Sequence, residues 1–283
     1  MARIPMSEAV LYVVATPIGN LEDITPRALR ILESVALIAA EDTRHSGRLL
    51  SHFNIKTPMI AVHDHNERQQ QQKIIEKLQQ GLDIALISDA GTPLISDPGF
   101  VLVREVRAAG FQVAPVPGCC ALVAALCAAG VPSDRFAFEG FPPAKSQQRL
   151  NYYTARANET RTLMFYESPH RIIDSLKDIV SAFGSERSIV LARELTKTFE
   201  TFLGGTAEEV LAQVEADPNQ RKGEFVLMIE GAPEQDDTLL DPRSSEVLDI
   251  LLEELSVKQA SALAARITGV KKKVLYQAAL ERK

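Results

Sequence analysis

The stretch ALISDAGTPLISDPGF, residues 85–100, decides how this chain is read. An apolar run, Ile84, Ala85, Leu86 and Ile87, stops at Ser88-Asp89, and two tight turns follow, Gly91-Thr92-Pro93 and Ser96-Asp97-Pro98-Gly99. A short continuous apolar run bounded by turn residues is the pattern of a strand buried on both faces. In an open α/β sheet, ligands sit beyond the carboxyl ends of the strands, so small and acidic residues in paired turns there form a candidate cradle. Helix capping accounts for part of the pattern without any ligand: Asp97 reads as an N-cap and Pro98 as the first helical residue. It leaves Ser88, Asp89, Gly91 and Thr92 unexplained, and these four anchor the candidate site.

Outward from this stretch, strands over 10–15, 35–40, 58–62, 84–88 and 112–116 alternate with helices over 26–33, 66–80, 98–109 and 119–129. That alternation predicts a mainly parallel sheet covered on both faces. The helix over 119–129 is apolar all round, which predicts full burial. A Pro/Gly-rich connection over 130–143 leads to a second unit. There, helices over 146–157, 172–183 and 207–216 combine with strands over 162–167, 188–193, 199–203 and 224–230. The last three strands are close in sequence, which predicts a mixed sheet. An acidic linker over 233–243 precedes helices over 244–255, 257–267 and 271–282, with Thr268-Gly269-Val270 turning between the last two in a helix-turn-helix plan. The expected domains are 1–130, 131–232 and a basic helical appendix over 244–283.

The composition, 46% hydrophobic and 24% charged over 283 residues, is that of a globular chain of about two domains. No apolar run reaches the ~18 residues of a membrane span, and the opening MARIPMSEAV lacks the features of a signal peptide. A cytoplasmic chain with no membrane partner is expected. Cys119, Cys120 and Cys127 read as small core residues in a reducing compartment. The five histidines, His63 and His65 included, show no metal-binding spacing, so no metal is expected. The net charge of −6 is uneven: residues 256–283 carry +6, leaving −12 on the other 255 residues. Taken alone, the basic tail fits nucleic-acid contact and a helical hairpin with a solvated basic end equally well. No G-x-G-x-x-G, P-loop, G-x-S-x-G or H-E-x-x-H motif occurs, which disfavours dinucleotide-binding and standard Rossmann methyltransferase units, P-loop NTPases, serine hydrolases and zinc proteases.

Five segments together, TPIGNLED (16–23), EDTRHS (41–46), SDAGTPLISDPG (88–99), VPGCCA (116–121) and FYESPHR (165–171), resemble the tetrapyrrole-methylase-like (class III) S-adenosylmethionine methyltransferases. Within these they are similar to the branch that modifies small-subunit ribosomal RNA. The resemblance spans nearly the whole chain. It implies two α/β domains of the tetrapyrrole methylase type with a cofactor cleft between them, plus a small C-terminal helix-turn-helix-like appendix. It further implies a homodimer that 2′-O-methylates a cytidine, number 1402 of the decoding region, in 16S ribosomal RNA or the small ribosomal subunit.

For S-adenosylmethionine the resemblance points to Pro17, Ser88, Asp89, Ala90, Gly91, Thr92, Ile95, Pro117, Gly118, Phe165, Tyr166, Glu167, Ala192 and Arg193. Chemistry adds that main chain at Gly- and Pro-rich bends can approach the cofactor closely, that Asp89 suits its ammonium or ribose, and that Ile95, Phe165 and Tyr166 suit its adenine. A ribose hydroxyl needs help to lose its proton. Glu41, Asp42, Arg44 and His45, at the end of an apolar strand, are the catalytic candidates, with Asp97 and Glu167 as further carboxylates. Arg48, Lys145, Arg149, Arg171, Lys271, Lys272 and Lys273 are the candidate phosphate contacts. Two other readings stay open: a small-molecule methyltransferase acting on a tetrapyrrole-like ring, and a non-catalytic ribosome-assembly factor.

Overall fold

The computed structural model describes residues 9–63, 66–233, 240 and 242–282. His65, the first eight residues, Lys283 and most of the acidic linker lie outside them. The chain divides into two compact units, Met1–Gly231 and Ala232–Lys283.

The first unit opens with β1 (Val10–Val14), α1 (Pro26–Ser34), β2 (Leu37–Ala40), α2 (Thr43–His52), β3 (Met59–Ala61), α3 (Glu67–Gln79), β4 (Ile84–Ile87), α4 (Phe100–Ala108), β5 (Gln112–Val116) and α5 (Ala121–Ala129). The five strands form one sheet in the order β3-β2-β4-β1-β5, every neighbouring pair parallel. Side chains of β4 alternate between two cores. Ile84 and Leu86 cluster with Ile74, Leu78, Leu102 and Val106 of α3 and α4. Ala85 and Ile87 cluster with Ala28, Leu32 and Leu50 of α1 and α2. Helices on both faces are why this strand reads as an unbroken apolar run.

A second sheet follows: β6 (Phe136–Phe138), α6 (Ser146–Thr154), β7 (Thr162–Glu167), α7 (Ile172–Phe183), β8 (Ser188–Arg193), β9 (Thr201–Thr206), α8 (Ala207–Ala216) and β10 (Phe225–Ile229), in the order β6-β7-β10-β8-β9. Only β6 and β7 run parallel; the other pairs are antiparallel, giving the expected mixed sheet. Alternation again splits the strands. Leu163, Phe165, Leu227 and Ile229 face the core of α6, α7 and α8. Met164, Val226 and Met228 pack with Leu122, Ala125 and Leu126 of α5.

Four expectations change. Helix α4 begins at Phe100 rather than at Pro98, and its N-cap is Gly99 at φ +118°, without a side-chain cap bond. Asp97 is therefore not a cap. Helix α5 is not buried all round: Val123 is 55% exposed and Cys127 is exposed. The connection over 130–143 contains β6, and β9 lies further along than expected, which leaves Phe199 outside it and exposed.

The second unit is α9 (Pro242–Glu254), α10 (Val257–Thr268) and α11 (Lys272–Glu281), packed on Leu248, Ala260, Ala264, Leu275 and Ala279. Ser256 and Gln259 make a capping box at the start of α10, and Gly269, in the left-handed region, ends it.

Candidate functional site

In the first sheet β1 and β4 are neighbours, and the loops leaving their carboxyl ends are stitched together. Thr16 N–H donates to Gly91 O at 2.9 Å, Gly91 N–H donates to Thr16 O at 3.0 Å, and Thr16 Oγ1 donates to Ser88 O at 3.3 Å. Gly91 holds φ +79°, and a Cβ there would come within 3.2 Å of Ile18 Cγ2, so conformation and space both favour glycine. Thr92 Oγ1 donates to Cys119 O at 2.8 Å and fastens this turn to the segment entering α5. Leu94 and Ser96 then sit at φ +74° and +67°, each at a cost of about 1–3 kcal/mol.

A second strained turn leaves β8, with Glu194 at φ +52° and Thr196 at φ +65°. Lys197 Nζ holds it by donating to Glu194 Oε1 at 2.7 Å and Glu224 Oε2 at 2.8 Å, and Glu224 N–H donates to Glu194 Oε1 at 3.1 Å. Burial opposes ionisation of Glu194, but these hydrogen bonds and the Lys197 and Arg193 charges outweigh it and hold its pKa below the ordinary carboxylate value. The two loop systems meet at Gly19, where a Cβ would lie 2.9 Å from Thr196 Oγ1 and 3.0 Å from Leu195 O.

A cavity of about 330 Å³ opens beside these turns. The first sheet's loops contribute Ile18, Ala90, Gly91, Thr92, Ile95, Ser96 and Asp97, and the start of α5 adds Cys120 and Ala121. From the second sheet come Phe141, Tyr166, Glu167, Ser168, Pro169, Leu195, Glu224, Phe225 and Val226. Strained backbone on both sides of one cavity makes it the candidate functional site.

Its three carboxylates differ. Glu167 has a fully buried side chain: Oε1 accepts from Ser168 N–H at 2.8 Å and from Arg171 Nη2 at 2.9 Å, while Oε2 is enclosed without a partner. It anchors the turn into α7. Glu224 is paired with Lys197 and largely exposed. Asp97 has no cationic partner among the described residues; burial raises its pKa, a hydrogen bond with the Ser88 side chain acts against that, and the Asp89 charge adds to it. Burial, followed by the nearby Cys120, pushes the Tyr166 phenol up to about 12, so it stays protonated at neutral pH.

Of the residues expected to hold the cofactor, Ala90, Gly91, Thr92, Ile95, Tyr166 and Glu167 line the cavity. Ser88 and Asp89 stand behind it; Asp89 Oδ1 accepts from Asp42 N–H at 3.1 Å, and Asp89 N–H donates to Glu41 Oε2 at 3.4 Å. Pro17 lies between Thr16 of the stitched pair and the lining residue Ile18, while Pro117 and Gly118 are exposed and not part of the lining. Three residues belong elsewhere. Phe165 and Ala192 are 0% exposed core residues, Phe165 on the opposite face of β7 from Met164. Arg193 is 6% exposed and donates to Lys222 O and Phe199 O, bracing the loop after β8.

The proposed catalytic group Glu41, Asp42, Arg44 and His45 sits at the end of β2, outside the lining. Asp42 caps α2 by accepting from Arg44 N–H, and the Arg44 guanidinium, 2.7 Å away, holds its carboxyl well below the usual range. Of the basic residues, Arg48, Lys145, Lys271, Lys272 and Lys273 are exposed. Arg149 is not available to a phosphate: it is 2% exposed and ion-paired at 2.7 Å with Asp178 of α7. Arg171 is committed to Glu167 and also donates to Ser168 Oγ at 3.2 Å. The apolar lining residues Ile18, Phe141, Leu195 and Val226 carry no signal in sequence that separates them from core. No group of three or more potential metal ligands occurs among the described residues.

Comparison with known proteins agrees with this geometry. Residues 10–211 match the family described as Tetrapyrrole (Corrin/Porphyrin) Methylases, and residues 238–283 match the RsmI C-terminal HTH domain. Ribosomal RNA small subunit methyltransferase I of Pseudomonas aeruginosa is 58% identical over 98% of this chain and 99% of its own. The proteins of that name from Pasteurella multocida and Escherichia coli O157:H7 are 57% and 56% identical, over 96% and 97% of this chain and 97% and 96% of their own. Among solved structures, diphthine synthase shares the fold at 12% identity, with a TM-score of 0.62 over 78% of this chain and 90% of that one. Uroporphyrin-III-C-methyltransferase from Thermus thermophilus does so at 21% identity, with a TM-score of 0.54 over 78% and 94%. Sheet order, paired loops and full-length similarity converge: the chain belongs to the tetrapyrrole methylase family, in the branch whose curated relatives are called ribosomal RNA small subunit methyltransferase I.

Proposed function

We propose that this chain methylates the ribose 2′-hydroxyl of a cytidine, number 1402 in the decoding region of 16S ribosomal RNA, with S-adenosylmethionine as donor. The observation that carries the reading is similarity above 55% along nearly the whole chain, appendix included, to relatives named for small-subunit ribosomal RNA methylation. The cavity residues fit the donor. Its volume of about 330 Å³ falls in the usual range for small-molecule sites. Main chain at Ala90, Gly91 and Thr92 would face the polar parts, and Ile95, Tyr166 and Val226 would flank the adenine. S-adenosylmethionine supplies, when bound, an electrophilic methyl group on a positively charged sulfur.

The chain's own contribution is alignment and exclusion of water. Thr16 and Gly91 fix one side by backbone bonds and Thr92 by its hydroxyl, and Glu167–Arg171 with Glu194–Lys197–Glu224 fix the other. The exposed Lys271, Lys272 and Lys273 at the start of α11 give RNA phosphates a cationic edge. The chain acts as a homodimer, as its family resemblance implies, and the ribosomal substrate supports a cytoplasmic location.

The test incubates methyl-labelled donor with small ribosomal subunits, naked 16S ribosomal RNA and tetrapyrroles separately, followed by nucleoside analysis. Label on a cytidine ribose is expected. Label on a base, or turnover of a tetrapyrrole with neither RNA modified, would overturn the reading. Neutralising Lys271, Lys272 and Lys273 together should weaken RNA binding about tenfold or more at low salt and flatten its salt dependence.

A further inference from the structure

Resting on the donor site just described, we propose that Asp97 is the group that accepts the proton of the attacking hydroxyl. The argument is one of position and elimination. Five acid–base side chains line the cavity: Asp97, Cys120, Tyr166, Glu167 and Glu224. Glu167 is enclosed and paired with Arg171, and Glu224 is paired with Lys197. The Tyr166 phenol stays protonated at neutral pH, and Cys120, half-buried at the mouth of α5, offers a thiol rather than a carboxylate. Asp97 alone combines a partly open carboxylate with the absence of any cationic partner among the described residues.

Local structure keeps it there. Ser96, in the left-handed region, and Gly99, the N-cap of α4, bracket it, so the carboxylate is held off the helix end it would otherwise cap. The groups that face it are Ser88 and Asp89 from the end of β4 and Tyr166 from β7, none of them cationic.

The step balances. A lone pair of the ribose 2′-oxygen forms the O–C bond to the methyl carbon. The C–S bond breaks with its electron pair left on sulfur. The hydroxyl proton passes to a carboxylate oxygen of Asp97, which later releases it to solvent. An anionic carboxylate and a cationic sulfonium both become neutral, and beside the apolar lining of Ile18, Ile95 and Val226 this mutual loss of charge is favourable.

The experiment uses the full chain, small ribosomal subunits, single-turnover methyl transfer across pH, and calorimetry with S-adenosylhomocysteine. Asp97→Asn should slow transfer about 100-fold or more, leave affinity for S-adenosylhomocysteine within about threefold, and abolish the acid limb of the wild-type rate profile. Asp97→Glu should recover at least about tenfold over Asp97→Asn and restore that limb. Transfer by Asp97→Asn within about threefold of wild type, absence of rescue by Asp97→Glu, or an affinity loss as large as the rate loss would each overturn the assignment; the last outcome makes Asp97 a donor-binding residue. Wild-type protein that binds no S-adenosylhomocysteine would instead overturn the donor site, and with it the role given to Asp97.

Discussion

On the side of the first sheet the cavity is bounded by main chain. Gly91 exchanges backbone bonds with Thr16, and Leu94 and Ser96 bend the loop through the left-handed region. On the side of the second sheet it is bounded by side chains in ion pairs, Glu167 with Arg171 and Lys197 with both Glu194 and Glu224. One wall has its charges matched within itself; the other carries an acid, Asp97, with none. The difference teaches that shape and charge are divided between the walls: backbone sets the contour, and the acid left unmatched marks where a cation or a proton is to be met.

The comparison can be broken hardest from behind the ion-paired wall. Arg149→Ala strands Asp178 and loosens α6 from α7, whose start carries Arg171, so denaturation should show a loss of about 3–5 kcal/mol. RNA affinity of the protein that remains folded should not change. Gly91→Val attacks the backbone wall: a β-branched residue at φ +79°, crowded by Ile18, should lower donor affinity about 30- to 100-fold by calorimetry. Lys197→Met leaves Glu194 and Glu224 uncompensated, and donor affinity should fall about fivefold with a modest drop in melting temperature.

The smallest effect is the most discriminating, because acid acts with opposite sign on the two walls. The Glu194 pKa is held below its ordinary 4.5, so its stabilisation is complete above that value and is lost as pH falls through the lowered one. The Asp97 pKa is raised above 3.8, so the folded protein binds its proton more tightly than the unfolded chain does. Ionising Asp97 therefore destabilises as pH rises from about 3.8 through the raised value. Melting curves should show Glu194→Gln less stable than wild type at neutral pH, the gap closing in acid. Asp97→Asn should be slightly more stable than wild type at neutral pH, by less than about 2 °C, its gap also closing in acid.

Periodicity made most of the fold legible. Ile84 through Ile87 announced a strand covered on both faces, and the crowded strands after residue 188 announced a mixed sheet. The same rule, applied one residue further, separates Phe165 from Tyr166: alternate positions on β7 face different cores, so the two could not flank one ligand together. Asp97 was obscured by its neighbours, because Asp-Pro-Gly before an apolar run is also how a capped helix begins. Only the left-handed Ser96 and the glycine cap, which are tertiary facts, free it. Arg149 read as a phosphate contact and Arg193 as a cofactor contact because a chain written in one dimension gives no sign of Asp178 or of the carbonyls of Lys222 and Phe199.

The stitch between Thr16 and Gly91 has a consequence for synthesis. Its two halves come from strands that are adjacent in space but distant along the chain, so a nascent polypeptide that has emerged only as far as α3 carries half a stitch and no cradle. Closure must wait for the non-local pairing of β4 with β1, a slow class of folding event. Protection of the Thr16 and Gly91 amides from exchange in stalled chains of increasing length should therefore switch on in one step, and the length at which it does so times the pairing of β4 with β1.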